Sequence, residues 1–244
     1  MNKTVIFDLD GTLYFGSKAA KEAKEAITLL QTHGVNWIYL TNNSTQTRQY
    51  ITNKLKQFGF PTEGKDVYTS AYATAQYLKS QIIKKVFLIG EDGFKKELSL
   101  CNITVTEPEL AEAIVIGLDF SFSYQQVKHA LDAIEGKKIP LIVSNADRNF
   151  PTDDKQLQPG CNMILSAILG SLSSPVTYKL IGKPSSFLLE LITKEYNLSH
   201  KQMIIVGDKQ ESDIAMAEQY GSSSLLVGPE GFTVDNAISL LNMI

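Results

Sequence analysis

The chain has 244 residues but only two cysteines, Cys101 and Cys161. Two cysteines are too few for a disulfide framework, and their spacing is not that of a metal site. No apolar run approaches the ~20 residues of a membrane-spanning helix, and residues 1–3 lead into an apolar segment rather than a cleavable signal. A Gly-x-Gly-x-x-Gly dinucleotide-binding box is absent as well. These absences predict a cytoplasmic protein without a membrane partner.

Positive charge is also scarce, with 23 Lys and Arg residues against 26 Asp and Glu residues and a formal net charge of −3. This balance gives no electrostatic reason to expect a nucleic acid polymer or an anionic membrane as a partner. With 43% hydrophobic residues, a chain of this length can bury a sizeable core, organised as one or two domains.

Two carboxylates follow an apolar run near the start of the chain, where residues 5–13 read Val-Ile-Phe-Asp-Leu-Asp-Gly-Thr-Leu. The apolar run lacks polar alternation, which predicts a parallel strand buried on both faces. Asp8 and Asp10 would then lie beyond its carboxyl end, where ligands bind in open α/β sheets. Gly11 permits a tight turn whose N–H groups can bind an anion such as phosphate. Acids after a strand are also common turn formers, so the bare pair leaves both interpretations open.

The string Asp8-Leu9-Asp10-Gly11-Thr12 resembles the first motif of the haloacid dehalogenase-like hydrolases. The resemblance implies that Asp8 is a nucleophile that becomes an aspartyl-phosphate, with Leu9 among the residues that contact the phosphate. Asp10 is implied to be the general acid and base, which protonates the leaving oxygen and later activates water. Dehalogenases of the superfamily typically lack this second acid and the metal, so Asp10 favours a phosphatase.

A second polar cluster, Thr41-Asn42-Asn43-Ser44, follows the strand predicted over 36–40. A helix is predicted over 45–58, so its first N–H groups and the Thr41 hydroxyl are candidates for binding phosphate oxygens. The resemblance makes Thr41 a catalytic residue, and Asn42 and Asn43 phosphate-binding residues. The alternative is an N-cap box that needs no ligand.

Lys183 lies between Gly182 and Pro184, after a short apolar run. Pro184 is predicted to open a helix at its first position. The segment resembles the family's third motif, which implies that Lys183 is catalytic, binds the substrate phosphate and compensates charge on the nucleophile. Without that resemblance, a solvated surface charge is the ordinary interpretation of a lysine.

A further acidic pair belongs to the apolar strand predicted over 203–208 and the helix after it. The resemblance implies a Mg²⁺ cofactor held by Asp8, the main-chain carbonyl of Asp10, and Asp208. Asp213 is implied to support the metal site, directly or through water, although an acid at this position can also cap a helix. Mg²⁺ prefers oxygen ligands and is usually held by one or two carboxylates plus substrate phosphate.

More than a hundred residues separate the second motif from Lys183, far more than one crossover connection requires. We therefore predict an α/β fold with a Rossmann-like parallel-sheet core, residues 1–79 and 178–244, and an inserted α/β cap domain, residues 80–177. A large cap at this position resembles the NagD-type, p-nitrophenyl phosphatase-like subfamily IIA. Within it we predict strands over 85–90, 113–118 and 140–144, and helices over 92–100, 124–134 and 160–169.

In the insertion, Asn145 and Asp147 follow a predicted strand and are predicted to reach the leaving group, with a polar surface turn as an equal alternative. The resemblance implies a phosphatase of small organic monoesters, of the nucleotide, sugar phosphate, phosphoglycolate, pyridoxal phosphate or p-nitrophenyl phosphate type. A homodimer through the inserted domain is compatible with it. The alternative function is a catalytically silent binding or scaffold protein, since fold does not imply function.

Overall fold

The computed structural model describes residues 3–152 and 156–244. The strands are β1 (Thr4–Asp8), β2 (Tyr14–Phe15), β3 (Lys18–Ala19), β4 (Asn36–Thr41), β5 (Val67–Thr69), β6 (Lys85–Ile89), β7 (Thr104–Val105), β8 (Ala113–Ile116), β9 (Leu141–Val143), β10 (Asn149–Pro151), β11 (Leu157–Pro159), β12 (Tyr178–Leu180), β13 (Met203–Gly207) and β14 (Ser223–Leu226). The helices are α1 (Ala23–Thr32), α2 (Arg48–Gln57), α3 (Ser70–Ser80), α4 (Asp92–Leu100), α5 (Tyr124–Leu131), α6 (Cys161–Leu169), α7 (Phe187–Tyr196), α8 (Ala215–Tyr220) and α9 (Val234–Met243). Within these described ranges, no helix is long and apolar enough to cross a membrane.

Two parallel five-stranded sheets organise these elements. The first has the strand order β14-β13-β1-β4-β5 and the second the order β12-β9-β8-β6-β7. In the first sheet β1 is central, with Ile6 opposite Ile205 on one side and Ile38 on the other. Two antiparallel hairpins, β2–β3 and β10–β11, lie outside the sheets. This architecture confirms the predicted fold class, a parallel-sheet core with an inserted α/β unit.

The two sheets share a layer of helices. Alternate residues of the first sheet, such as Ile6 and Ile205, join one hydrophobic cluster with residues of α3, α4, α7 and α8 and with Val86 and Val115 of the second sheet. The opposite face of the first sheet packs against α1, α2 and α9, and the outer face of the second packs against α5 and α6. Because one apolar cluster spans both sheets, burial of that cluster fixes their relative position.

The strand pairing of the inserted unit continues beyond residue 177, its predicted last residue. We placed residue 178 in the core, but β12 pairs in parallel with β9 of the second sheet. The ladder continues past β12, because the Ile181 N–H donates to Val143 O at 3.0 Å and the Gly182 N–H donates to Ser144 O at 2.8 Å. The division into 1–79 with 178–244 and 80–177 remains a prediction, and we propose moving its second boundary to after Gly182.

The predicted first residue is wrong for two helices. The helix predicted over 45–58 begins only at Arg48, because the Asn43 side-chain oxygen accepts the N–H groups of Thr45 and Gln46 and folds this segment into a turn. Thr47 then caps α2 by accepting the Tyr50 N–H. Similarly, Pro184 does not open a helix, since α7 begins at Phe187 and residues 182–185 form a turn closed by the Ser185 N–H on Gly182 O.

Candidate active site

The candidate site lies where the carboxyl ends of neighbouring strands meet. Asp8 ends β1, Thr41 ends β4, and Asp208 follows β13, the strand on the other side of β1. Lys183 reaches the same place from the second sheet, just beyond the end of β12. All four residues line one cavity, which places them at the position where open α/β sheets bind ligands.

Lys183 joins two acids that are distant in the sequence. Its ammonium donates to Asp8 Oδ1, and it lies 2.6 Å from Asp213 Oδ1. The exposed fractions of Lys183, Asp8 and Asp213 are 5%, 6% and 1%. The second oxygen of Asp8 accepts the Thr12 hydroxyl at 3.1 Å. Since a charge this deeply buried is costly unless it is paired, the Lys183 ammonium and the two carboxyl groups stabilise one another.

Negative charge nevertheless exceeds positive charge here. One oxygen of each of Asp8, Asp208 and Asp213 lies within 4.8 Å of the others. Burial raises the pKa of Asp8 well above its ordinary value; Lys183 opposes that rise, while Asp213 and Asp208 add to it. Burial and Asp213 likewise raise the pKa of Asp208. Burial alone would lower the pKa of Lys183, but Asp213 and Asp8 raise it above the ordinary value, so Lys183 remains an ammonium.

A divalent cation fits this cluster. Asp208 Oδ1 is buried and has no hydrogen-bond partner within residues 3–152 and 156–244. A Cβ on Gly11, whose φ is +94°, would lie 2.3 Å from Asp208 Oδ2, so the turn after β1 approaches this carboxylate closely. Asp213 differs, because Oδ1 accepts from Lys183 and Oδ2 accepts the Lys209 N–H at 3.1 Å. The oxygen-only donor set suits Mg²⁺. Asp208 offers the oxygen without a partner, whereas both oxygens of Asp8, like those of Asp213, already accept hydrogen bonds, so a metal bound to Asp8 would share an engaged oxygen. Asp213 is also positioned to orient Lys183.

The Asp10 side chain has contacts that differ from those of the other acids in the site. It is not part of the three-carboxylate cluster, and its Oδ2 accepts the Tyr14 hydroxyl at 3.1 Å. Lys54 Nζ lies 3.9 Å from the centre of the Tyr14 ring. Burial raises the pKa of Asp10, and Lys54 and the Tyr14 hydrogen bond partly offset the rise. A carboxyl group with a raised pKa is suited to giving and taking a proton.

The segment after β4 acts through side-chain hydrogen bonds, not through a helix N-terminus, since six residues separate Thr41, the last residue of β4, from Arg48, the first residue of α2. Asn42 accepts the Lys183 N–H at 2.8 Å and donates both to Lys183 O and to Asp147 Oδ1 at 3.1 Å. A Cβ on Gly182 would lie 2.4 Å from Asn42 Oδ1. Asn42 therefore ties the first sheet to the Lys183 segment and the insertion, and Gly182 makes that approach sterically possible.

Asn145 and Asp147 also line the cavity, and both join this network. Asn145 donates to Ser44 Oγ at 3.4 Å, and Ser44 Oγ accepts the Leu118 N–H at 3.0 Å. Ser44 thus connects the loop after β4 with the ends of β8 and β9. Nothing in the sequence marked Ser44 for this role beyond its place in the polar cluster.

Two predicted phosphate-binding residues differ in how they are placed. Asn43 lines the cavity, but its side-chain oxygen is engaged within its own loop. Leu9 does not line the cavity, because its side chain is fully buried in the cluster beneath the first sheet. A contact between Leu9 and a ligand can therefore involve only its main chain.

Several lining or supporting residues were not identified from the sequence. Thr12 lies four residues after Asp8 and Tyr14 lies four residues after Asp10, so their proximity was a usable signal. Phe15, Phe120 and Phe150 also line the cavity. They lie in three separate segments with no motif in common, and only the fold brings them to one opening.

The chain is similar to known phosphatases. Residues 5–104 match a family model described as haloacid dehalogenase-like hydrolase, and residues 180–238 match one described as HAD-hydrolase-like. A sugar phosphatase of Bacillus subtilis is 32% identical over 228 residues, which cover 91% of this chain and 82% of the relative. A 5′-nucleotidase of the same bacterium is 33% identical, covering 92% and 86%. The structure of a p-nitrophenyl phosphatase from Archaeoglobus fulgidus is similar with a TM-score of 0.87 and 27% identity, covering 99% of this chain and 92% of that one.

Proposed function

The chain belongs to the haloacid dehalogenase-like hydrolases, and we propose from this premise that it is a Mg²⁺-dependent phosphatase of small organic monoesters. The observation that carries the proposal is the buried arrangement of Lys183 between Asp8 and Asp213, with Asp10, whose pKa burial raises, lining the same cavity. The relatives named above as sugar phosphatase, 5′-nucleotidase and p-nitrophenyl phosphatase support a phosphomonoester as the substrate.

In the proposed reaction these groups take the roles that the family resemblance implies. A carboxylate oxygen of Asp8 attacks phosphorus, the bond from phosphorus to the leaving oxygen breaks, and Asp10 donates its proton to that oxygen. Asp10 then removes a proton from water, which attacks the same phosphorus and releases inorganic phosphate from Asp8. Throughout, the Lys183 ammonium offsets negative charge on Asp8 and on the phosphoryl oxygens.

A bound Mg²⁺ would supply further charge neutralisation at the phosphoryl group. Asp8 and Asp208 would hold it through their carboxylates, and Asp10 through its main-chain carbonyl. Asp213 would keep Lys183 and the Lys209 main chain in place around it. Thr41 and Asn43 line the cavity where phosphate oxygens would lie, and the Thr41 hydroxyl already accepts the Asn43 N–H at 3.1 Å.

The test is release of inorganic phosphate from a panel of nucleotides, sugar phosphates, phosphoglycolate, pyridoxal phosphate and p-nitrophenyl phosphate, with Mg²⁺ or with a chelator. We expect release only with Mg²⁺ and a loss of at least about a thousandfold in kcat for Asp8→Asn, which keeps the shape of the side chain. Asp235→Asn, at an exposed position in the first turn of α9, is the matched control and should retain activity.

The competing function is a silent binding protein on the same fold. It would bind phosphate esters or Mg²⁺ without releasing phosphate from any member of the panel, and that result would overturn the proposal. A cytoplasmic location and a homodimer through the inserted domain remain predictions from the sequence.

A further inference from the structure

The opening of the catalytic cavity is aromatic. Phe15 comes from the β2–β3 hairpin, Phe120 follows β8, and Phe150 belongs to the β10–β11 hairpin; all three line the cavity. The ring centres of Phe120 and Phe150 are 6.5 Å apart with an interplanar angle of 68°. Phe120 is nevertheless 69% exposed. Single exposed apolar side chains are ordinary, but aromatic side chains gathered at the opening of a polar site mark a surface that a ligand can cover.

The main chain of Phe120 is held in place by hydrogen bonds. The Phe120 N–H donates to Glu91 Oε1 at 2.9 Å. The neighbouring Asp119 accepts the Ser121 N–H at 2.8 Å and the Gln126 side chain at 2.7 Å, and Asp119 is itself buried. Because its main chain is already ordered, covering the Phe120 ring costs less main-chain entropy than covering a ring on a mobile loop.

The charges around the cavity oppose a second anionic group on the ligand. Its lining includes five aspartates and two lysines. Lys183 and a bound Mg²⁺ would neutralise the cluster of Asp8, Asp208 and Asp213, and the charge of Lys209 acts on Asp10 and Asp208, so Asp147 is the acid that faces the rest of a ligand. One of those lysines, Lys183, is already paired with two of the acids. Among the residues that the structure describes, no arginine or histidine lines the cavity. Beyond the phosphoryl position, a leaving group therefore meets phenylalanine rings, the Asn145 amide and the Asp147 carboxylate, which suits rings and hydroxyl groups and repels anions.

We propose that Phe15, Phe120 and Phe150 form a leaving-group subsite that selects monoesters whose alcohol part carries a planar ring and no second negative charge. This inference rests on the proposed phosphatase function and narrows its substrate class. The ring stacks on the phenylalanines, and hydroxyl groups between the ring and the phosphate donate to Asp147. Sugar phosphates without a ring system of this kind, and esters with a carboxylate or second phosphate, are poorer substrates.

The first arm of the test compares adenosine 5′-monophosphate with ribose 5-phosphate, two primary phosphate esters of the same sugar that differ by the base. We expect kcat/KM to favour the nucleotide at least tenfold, because stacking of a base on an aromatic side chain is worth about a factor of ten or more. Phe120→Ala and Phe150→Ala should each lower this ratio about tenfold. Tyr124→Ala removes an aromatic ring that is 85% exposed and does not line the cavity, so it is the matched control and should leave the ratio unchanged.

The second arm compares adenosine 5′-monophosphate with adenosine 3′,5′-bisphosphate, and we expect kcat/KM for the bisphosphate to be about tenfold lower. Thermal melting of Phe120→Ala and Tyr124→Ala shows whether both variants fold, which their exposure predicts. Equal kcat/KM for nucleotide and ribose 5-phosphate, or an equal loss on both esters in Phe120→Ala, overturns the subsite while leaving the phosphatase proposal standing. Equal turnover of the bisphosphate overturns its charge selection. Absence of Mg²⁺- and Asp8-dependent release from every ester overturns the phosphatase function and this inference with it.

Discussion

The two five-stranded parallel sheets are built alike, yet their carboxyl ends carry different chemistry. In the first sheet β1 ends at Asp8, β4 ends at Thr41 and Asp208 follows β13, whereas Leu118 and Asn145 lie two residues beyond β8 and β9 of the second sheet. Both sets of residues line the same cavity. The comparison shows that the parallel sheet determines where a site forms, and that a few residues just beyond the strands determine what the site does.

The second sheet makes one charged contribution to the reacting centre that can be tested directly, through Lys183 beyond β12. Replacing it in Lys183→Met leaves Asp8 and Asp213 buried without their shared cation. We expect kcat/KM to fall about a thousandfold and the free energy of unfolding to fall by about 3 kcal/mol. Steady-state kinetics and thermal unfolding measure the two effects.

Lys179→Met is the matched control, since Lys179 lies on β12 itself and is exposed. It should change kcat/KM less than about twofold. If Lys183→Met kept activity within tenfold of the wild type, the second sheet would contribute no essential charge, and the chemistry would belong to the first sheet alone.

One glycine that follows a strand in each sheet allows the two sheets to be compared by mutation. A Cβ on Gly11, after β1, would lie 2.3 Å from Asp208 Oδ2, and the φ of +94° strains any other residue. A Cβ on Gly117, after β8, would instead meet Phe94 Cδ1 at 2.7 Å and Ser44 Oγ at 3.0 Å. Gly11→Ala should therefore displace the carboxylate that we propose binds the metal, whereas Gly117→Ala should disturb packing between the sheets.

We expect Gly11→Ala to lower kcat/KM about a hundredfold, because a displacement of about 1 Å at a reacting centre has an effect of that size. It should also lose the rise in Tm that Mg²⁺ gives the wild type. Gly117→Ala should have a lower Tm but keep the Mg²⁺-dependent rise, since ligand binding still stabilises the folded state. An undiminished Mg²⁺ response in Gly11→Ala would show that Asp208 does not hold the metal.

The two sheets also differ in how far the sequence predicts them. Asp8 and Asp10 follow a run of apolar residues, so local pattern alone places them at a strand end, and the fold class follows from repeated strand and helix patterns. The contact between Lys183 and Asp8 joins residues 175 positions apart, and only the family resemblance indicated it. The pairing of β12 with the second sheet was not predicted, because a strand of three residues is too short for its hydrophobic pattern to indicate which strand it pairs with.

The late start of α2 and the aromatic opening were missed for related reasons. Asn43 favours a turn because its side chain can bond nearby main-chain N–H groups, and that local preference overrides helical periodicity. Phe120 and Phe150 come together only through tertiary structure. Tertiary contacts of this kind leave no spacing in the sequence from which a site can be predicted.

Tyr39 belongs to the first sheet and Tyr14 to the hairpin that follows its strand β1, and mutating them distinguishes a residue that supports catalysis from one that supports only folding. The Tyr14 hydroxyl donates to Asp10 Oδ2, the carboxyl group that we propose donates a proton to the leaving oxygen. Tyr14→Phe should therefore lower kcat/KM about tenfold for an alkyl phosphate, whose alkoxide needs a proton, since a hydrogen bond to a charged group is worth about 1.5 kcal/mol or more.

The same variant should lower kcat/KM only about twofold for p-nitrophenyl phosphate, because p-nitrophenolate leaves without a proton. Tyr39→Phe provides the control, since the Tyr39 hydroxyl donates to Pro61 O at 2.9 Å. Tyr39 packs on the face of the first sheet that is turned away from the second sheet. That variant should reduce stability and change kcat/KM for both esters equally. A general loss of folding lowers activity on both esters alike. An equal effect of Tyr14→Phe on both esters would therefore show that Tyr14, like Tyr39, supports only folding, and that proton donation by Asp10 does not depend on it.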